Sequence, residues 1–231
     1  GVVGSDFPDE YLEIFKRFNL DLSFLEKLEG RTFRWGGEYT KNMDHRSTLF
    51  TELGVFEHFN PNLMSCSIKE PILYLGNIQP NLQLKVLEQI HAPALVVSDT
   101  MNLWIETAQS ELMNVIKKTT VFLLNEEEAL MLTKKQDLDE AALVLLNMGP
   151  QFIIIKCGSK GSFLFEPNKP PFYVPVFPVQ DVVDPTGAGD SYAGGLVGFL
   201  AQHGTSKIQD AMMVGSAAAS LCVESFSTAM V

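Results

Sequence analysis

The chain has 231 residues, 46% of them hydrophobic, which is enough for one sizeable α/β domain with a small appendage and too little for two full domains. Its formal net charge of -11 gives a surface that repels phosphate backbones, so no nucleic-acid partner is expected. Three cysteines without a C-x-x-C pair argue against a disulfide framework or a structural zinc site.

Cys66, Cys157 and Cys222 sit among apolar neighbours and read as buried, inert thiols of a reducing compartment, so a cytoplasmic location is expected. No apolar run approaches the ~20 residues that span a bilayer, so no membrane partner is expected. No signal peptide is expected, and the sequence has no N-x-[ST] acceptor. The opening Gly1-Val2-Val3-Gly4 reads as a strand end already under way, and the natural protein is expected to extend at both ends.

Pro8 to Phe18 predicts a helix, with Asp9 and Glu10 in its first turn and Leu12, Phe15 and Phe18 on one face. From Asp21 to Phe59 the pattern changes to short aromatic and β-branched runs broken by glycine. Thr32-Phe33-Arg34-Trp35, Gly36-Gly37, Glu38-Tyr39-Thr40 and Ser47 to Thr51 suit hairpin strands. Residues 21–59 therefore read as a small β-rich flap, and residues 1–20 with 60–231 as an α/β core. Arg34 and Arg46 on the flap are candidates for an acceptor or phosphate contact, with solvated arginines as the alternative.

Beyond Pro61 apolar strands alternate with amphipathic helices. Strands are expected at Ile72–Leu75, Ala94–Val97, Val121–Leu124 and Phe152–Lys156, and helices at Asn81–Ile90, Leu103–Lys118, Glu126–Thr133 and Leu138–Met148. That alternation implies a mostly parallel sheet covered on both faces. Ser162–Phe165 and Phe172–Val176 read as antiparallel additions, and Ala188–Gln202 and Ser206–Val223 as closing helices.

The most informative stretch is Asp184-Pro185-Thr186-Gly187-Ala188-Gly189-Asp190-Ser191-Tyr192-Ala193-Gly194-Gly195. Gly187, Ala188 and Gly189 fall where a loop becomes a helix. Their amides have no intrahelical acceptor, carry the positive end of the helix dipole and are shielded by almost no side chain, which makes an anion hole. Asp190, in the first turn, is placed to accept the proton of an attacking hydroxyl. For a bare G-A-G-D the alternative is a helix start that merely permits close packing, the role read for Gly194 and Gly195.

The twelve-residue string resembles the C-terminal signature of the ribokinase-like (PfkB) carbohydrate kinases, and the resemblance runs from Val3 to about Phe226. It implies a three-layer α/β/α fold with a small β-rich lid. It also implies ATP and Mg²⁺ as cofactors and transfer of the γ-phosphoryl group to a hydroxymethyl of a sugar or a nucleoside. Asn125-Glu126-Glu127-Glu128 then resembles the family's N-x-x-E motif, with Asn125 and Glu128 helping to organise Mg²⁺, through water, and the phosphates. An N-cap with acidic first-turn residues is the alternative for the same four residues. Lys156-Cys157-Gly158-Ser159-Lys160-Gly161 resembles the K-x-G-x-x-G turn beside the nucleotide, with Lys156, Gly158 and Gly161 as contacts; an ordinary β-turn is the alternative. Asp184 and Thr186 complete the nucleotide-side candidates. Asp99 and Asn102, at the carboxyl edge of their strand, face the ligand edge of an open sheet or cap the next helix.

The flap resembles the family's lid, which can mediate homodimers; Phe33 and Trp35 suit acceptor contact, lid–lid packing or plain hairpin core. The family's N-terminal strand, with its acceptor-binding Asp, and its early Gly-Gly motif have no counterpart here, so the acceptor stays open between sugar and nucleoside. A nicotinamide-dependent oxidoreductase needs G-x-G-x-x-G after the first strand, and a Walker A kinase needs G-x-x-x-x-G-K-[ST]; neither string is present. A catalytically silent sugar- or nucleotide-binding regulator is the remaining alternative, and retention of Asp190 argues against it.

Overall fold

A computed structural model describes residues 1–39, 46–63, 69 and 71–226. Chain contacts divide it into two units, Gly1–Ser67 and Ile68–Val231. The first helix is grouped with the hairpin segment by those contacts. Cys66 lies outside the described residues, as does the side chain of Arg46.

In the smaller unit β1 (Val2–Gly4) pairs in parallel with β2 (Glu26–Leu28), and α1 (Asp9–Arg17) connects them. Asp9 and Glu10 open α1 and Lys16 and Arg17 close it, which places each charge at the dipole end that favours it. The expected hairpin is β3 (Arg34–Tyr39) against β4 (Arg46–Glu52), antiparallel, with a register shift between Gly36 and Gly37. Phe33 meets Phe56 edge-on at 5.9 Å between ring centroids, and the Trp35 indole N–H donates to the Thr48 hydroxyl at 3.3 Å. Arg34 stands opposite Glu52.

The larger unit holds a six-stranded sheet. Four strands run parallel: β5 (Ile72–Leu75), β6 (Leu95–Asp99), β7 (Val121–Asn125) and β8 (Phe152–Lys156). Two further strands, β9 (Ser162–Phe165) and β10 (Phe172–Val174), add antiparallel, so the order is β10-β9-β8-β7-β6-β5. The β-branched run Ile153-Ile154-Ile155 is wholly buried, as befits a strand covered on both faces.

Helices α2 (Pro80–Gln89), α3 (Asn102–Thr107), α4 (Gln109–Ile116), α5 (Glu126–Thr133) and α6 (Leu138–Leu146) connect the parallel strands. The chain closes with α7 (Ala188–His203) and α8 (Ile208–Val223). Side chains of a strand alternate between faces. Val97, Leu123 and Ile154 pack with Tyr192, Ala193 and Leu196 of α7, while Phe122, Leu124, Ile153 and Ile155 pack with Leu112, Ala129 and Leu145 on the other side. The result is a three-layer α/β/α arrangement.

The helix expected over Leu103–Lys118 is two helices. It breaks at Ala108, whose φ of -140° and ψ of 37° leave the helical region. Just before the break the Thr107 hydroxyl donates back to the Leu103 carbonyl at 2.6 Å, a side-chain bond that weakens the regular ladder. Cys157 and Cys222 are free and buried, as their apolar surroundings suggested. Among the described residues no helix is long and apolar enough to cross a membrane.

Replacing Ile154, fully buried in this sheet, by Ala is expected to lower the unfolding free energy by about 2–5 kcal/mol. Leu143→Ala, on a side chain 62% exposed, should stay within about 0.5 kcal/mol of the wild type. Urea unfolding of the two variants checks the pair, and equal losses would contradict the packing described here.

Candidate active site

Strand alternation builds this site. Val97, Leu123 and Ile154 face α7, so two residues further on Asp99, Asn125 and Lys156 face the same way at the strand ends, level with the start of that helix. An open parallel sheet binds ligands at this carboxyl edge. The Lys156 ammonium donates to Asp99 Oδ2 at 3.2 Å, with side-chain exposures of only 18% and 8%. A Cβ placed on Gly189 would lie 3.4 Å from that ammonium. The cation therefore sits directly against the first turn of α7. The Asp99 backbone is held as well: Gln83 Nε2 donates to the carbonyls of Leu75, Gly76 and Asp99 at 3.1, 2.9 and 3.4 Å.

The loop that starts α7 is shaped by its own residues. Asp184 Oδ1 accepts from the Thr186 amide at 2.9 Å, an Asx turn. Gly187 follows with φ of +82°, a left-handed conformation that favours glycine. The Ala188 amide donates to the Pro185 carbonyl at 3.2 Å, and the Ser191 amide to the Gly187 carbonyl at 2.8 Å. Between them the Gly189 and Asp190 amides find no acceptor among the described residues. Of the three amides expected to form an anion hole, the turn uses that of Ala188, while those of Gly187 and Gly189 find no acceptor among the described residues.

Helix α8 clamps this loop from below. Val183 and Asp184 amides donate to the Val223 carbonyl at 2.7 and 3.2 Å, and the Cys222 thiol contacts the Thr186 carbonyl at 3.5 Å. Ser216 and Ser220 hydroxyls donate to the carbonyls of Pro175 and Phe177, at 3.0 and 2.9 Å, and anchor the approach to it.

Asp190 projects from the first turn of α7. The residue as a whole is open to solvent, but the protein packed around its carboxylate raises its pKa. The charge of Asp99 adds to that rise and Lys156 opposes it. Asp190, Asp99 and Lys156 therefore share one electrostatic environment.

Asn125 and Glu128 form a reciprocal capping box at the start of α5. Asn125 Oδ1 accepts from the Glu128 amide and Glu128 Oε2 accepts from the Asn125 amide, both at 2.8 Å. The cap occupies one carboxylate oxygen of Glu128. Burial pushes its pKa up to about 7, with the Asn125 amide and Lys156 opposing. A buried carboxylate so disfavoured as an anion is one that a cation would relieve. Among the described residues no three His, Cys, Asp or Glu are grouped as a metal cage. One or two carboxylates with no closed cage fit Mg²⁺, which keeps its waters and takes further oxygens from phosphates.

The turn after β8 spans Gly158 to Lys160. Gly158 has φ of +56° with open space where a Cβ would stand. Gly161, at φ +90°, would place a Cβ 2.3 Å from the Val174 carbonyl oxygen, so packing against β10 requires it. Asn102 Nδ2 donates to Glu127 Oε1 at 3.1 Å, while Asn102 Oδ1 and Thr100 Oγ1 are buried without a partner among the described residues. Sequence reasoning did not reach Gln83, and read Cys222 only as a buried thiol, because the bonds of each go to another element.

The family model of the pfkB family carbohydrate kinases matches residues 1–230 of the chain. A cytidine kinase of Thermococcus kodakarensis is 28% identical over 206 residues, 87% of this chain and 71% of that protein. The crystal structure of a nucleoside kinase of Methanocaldococcus jannaschii, an archaeal member of the ribokinase family, matches with a TM-score of 0.80 at 23% identity. That match covers 98% of this chain and 74% of the other. A putative ribokinase II of E. coli, in complex with ATP and Mg²⁺, matches with a TM-score of 0.77 at 20% identity, over 98% of this chain and 76% of that one. The fold is ribokinase-like, as the sequence resemblance implied.

Glu128 gives the site a pH signature. Its folded pKa, about 7, lies above the ordinary 4.5, so the stability tied to its proton is full below pH 4.5 and is lost as pH rises through 7. In Mg²⁺-free buffer, Glu128→Gln keeps the cap and removes that loss. The variant should gain about 2–4 kcal/mol on the wild type between pH 4.5 and pH 8, read by urea unfolding. A difference that does not change with pH would place the Glu128 carboxylate in water.

Proposed function

The chain belongs to the pfkB family of carbohydrate kinases, and we propose that it transfers the γ-phosphoryl group of ATP to a hydroxymethyl oxygen of a sugar, free or as the sugar of a nucleoside. The observation that carries this reading is the start of α7. Two amides without an acceptor among the described residues, at Gly189 and Asp190, lie beside the Lys156 ammonium, with the Asp190 carboxylate in the same turn.

A transferring phosphoryl group carries charge on its outer oxygens, and fixed donors stabilise it without reorganising. The Gly189 and Asp190 amides and the α7 dipole supply such donors. Lys156, held by Asp99, adds a positive charge that cannot swing away. Asp190 accepts the proton of the acceptor hydroxyl as that oxygen attacks. Burial and the charge of Asp99 raise its pKa, which strengthens it as a base. Gly158, with open space at its Cα, leaves room for the nucleotide next to β8.

Glu128 and Asp99 would hold Mg²⁺ through its waters. When bound, the ion neutralises charge on the phosphates. The cytoplasm, where ATP is abundant, is the location that fits this activity.

The nucleoside form of the acceptor has specific support. The Thermococcus relative, matched across 87% of this chain, is a cytidine kinase. The sugar of such an acceptor presents the same primary alcohol as a free pentose, so the chemistry at Asp190 is common to both.

Release of ADP from the intact gene product, assayed with pentoses, hexoses and the common nucleosides, is expected with at least one acceptor. Asp190→Asn should cut turnover by about 10²–10⁴ while ATP still binds. Near-normal turnover by that variant would refute Asp190 as base, and acceptor binding with no ADP release from the wild type would favour a silent regulator.

A further inference from the structure

Tyr74 is a polar group of this site that the phosphoryl-transfer reading leaves unused. Its register partner on β6 is Val97, and it packs against the cluster built on α7, so it lies on the face that ends in Asp99. Two residues further along the same face comes Gly76, which has no side chain to fill the strand end. A Cβ built on Gly76 would sit 3.4 Å from the Tyr74 ring and 3.8 Å from its hydroxyl. The ring thus leans along β5 towards the carboxyl edge, into the space that the glycine leaves.

The phenol oxygen is buried and has no hydrogen-bond partner among the described residues. Buried hydroxyls are nearly always paired, and an unpaired one at a ligand edge points to a ligand atom that completes it. Burial, then the charges of Asp99 and Asp190, hold the phenol far above its ordinary pKa. It is therefore always an O–H donor at physiological pH.

What chemical group fits between a phenol O–H and two carboxylates? A phosphate oxygen would accept from the phenol but be repelled by Asp190, which, unlike Asp99, has no ion-pair partner among the described residues. An ammonium would please the carboxylates but leave the phenol unpaired. An alcohol does both, because its oxygen accepts one bond and its proton donates another. We propose that Tyr74 is a further substrate-contacting residue, whose O–H donates to the hydroxymethyl oxygen of the acceptor while that oxygen gives its own proton to Asp190. This rests on the kinase reading above. One lone pair of the acceptor oxygen is occupied by Tyr74 and the other is left to attack phosphorus. The new O–P bond forms as the bond from phosphorus to the departing ADP oxygen breaks. The alcohol proton goes to Asp190, and the Tyr74 proton stays where it is.

The test is Tyr74→Phe in the intact gene product, with cytidine and D-ribose as acceptors and Asp190→Asn alongside. Losing one neutral hydrogen bond to the substrate should lower kcat/KM for the acceptor roughly 3- to 10-fold and leave KM for ATP unchanged. The melting temperature of the unliganded variant should equal or exceed that of the wild type, because a buried unpaired hydroxyl has been removed. Unchanged acceptor constants would overturn the assignment. So would a lower melting temperature with equal losses for acceptor and ATP, the result of a purely structural tyrosine. If the wild type prefers another of the pentoses, hexoses and common nucleosides to cytidine and D-ribose, that acceptor replaces them in the comparison. If it phosphorylates none of them, the kinase reading is what fails. Tyr74 is then judged by calorimetry: weaker acceptor binding by the Phe variant supports it, and equal or absent binding overturns it.

Discussion

The site depends on a geometric constraint of parallel sheets. Every second side chain of a strand must meet the same covering helix, and the strand ends when that helix begins. In this chain β6, β7 and β8 all send their last inward residue past the amino end of α7. Asp99, Asn125 and Lys156 are the outcome: an anion, an amide and a cation at one edge. The hydrophobic layer beneath them, Val97, Leu123 and Ile154, is what keeps the three strand ends in step. A slip of one residue in any strand would turn its polar end to the opposite face. Core packing and site geometry are therefore one requirement rather than two.

Electrostatics follows from that placement. Asp99 is buried, and a buried carboxylate needs a partner. Lys156 is that partner, and once the pair forms its cation is fixed against Gly189. The same arrangement raises the pKa of Asp190 and of Glu128 through burial, with Lys156 restraining both. One ammonium thus moderates two carboxylates on two different elements. The proposed kinase site, which would hold a polyanionic nucleotide beside a proton acceptor, calls for such a balance of charge.

Much of this was legible in the sequence. The strand Phe152–Lys156 and the helix Glu126–Thr133 end where their residues say they should, because apolar runs and cap residues mark both ends. The loop from Asp184 to Asp190 announced a helix start with small residues, and α7 begins there. Other features were not legible, for physical reasons. That the Ala188 amide is used by its own turn depends on the left-handed φ of Gly187, which no residue pattern displays directly. The break at Ala108 rests on a side-chain bond from Thr107, inside a pattern that still reads as one amphipathic helix. Tyr74 looks like any aromatic residue in a strand until Gly76 and Val97 locate its hydroxyl. The motif of Asn125 and Glu128 was read both as a cap and as a ligand, and the fold uses it at least as a cap.

The bonds from Cys222 and Val223 to the loop before α7 have a further consequence for dynamics. The last turn of α8 and the loop that leads into α7 share their hydrogen bonds, so neither can open to water without releasing the other. They form one cooperative unit of local unfolding, although some forty residues of sequence separate them. The stiffness of the loop before α7 is therefore borrowed from the far end of α8.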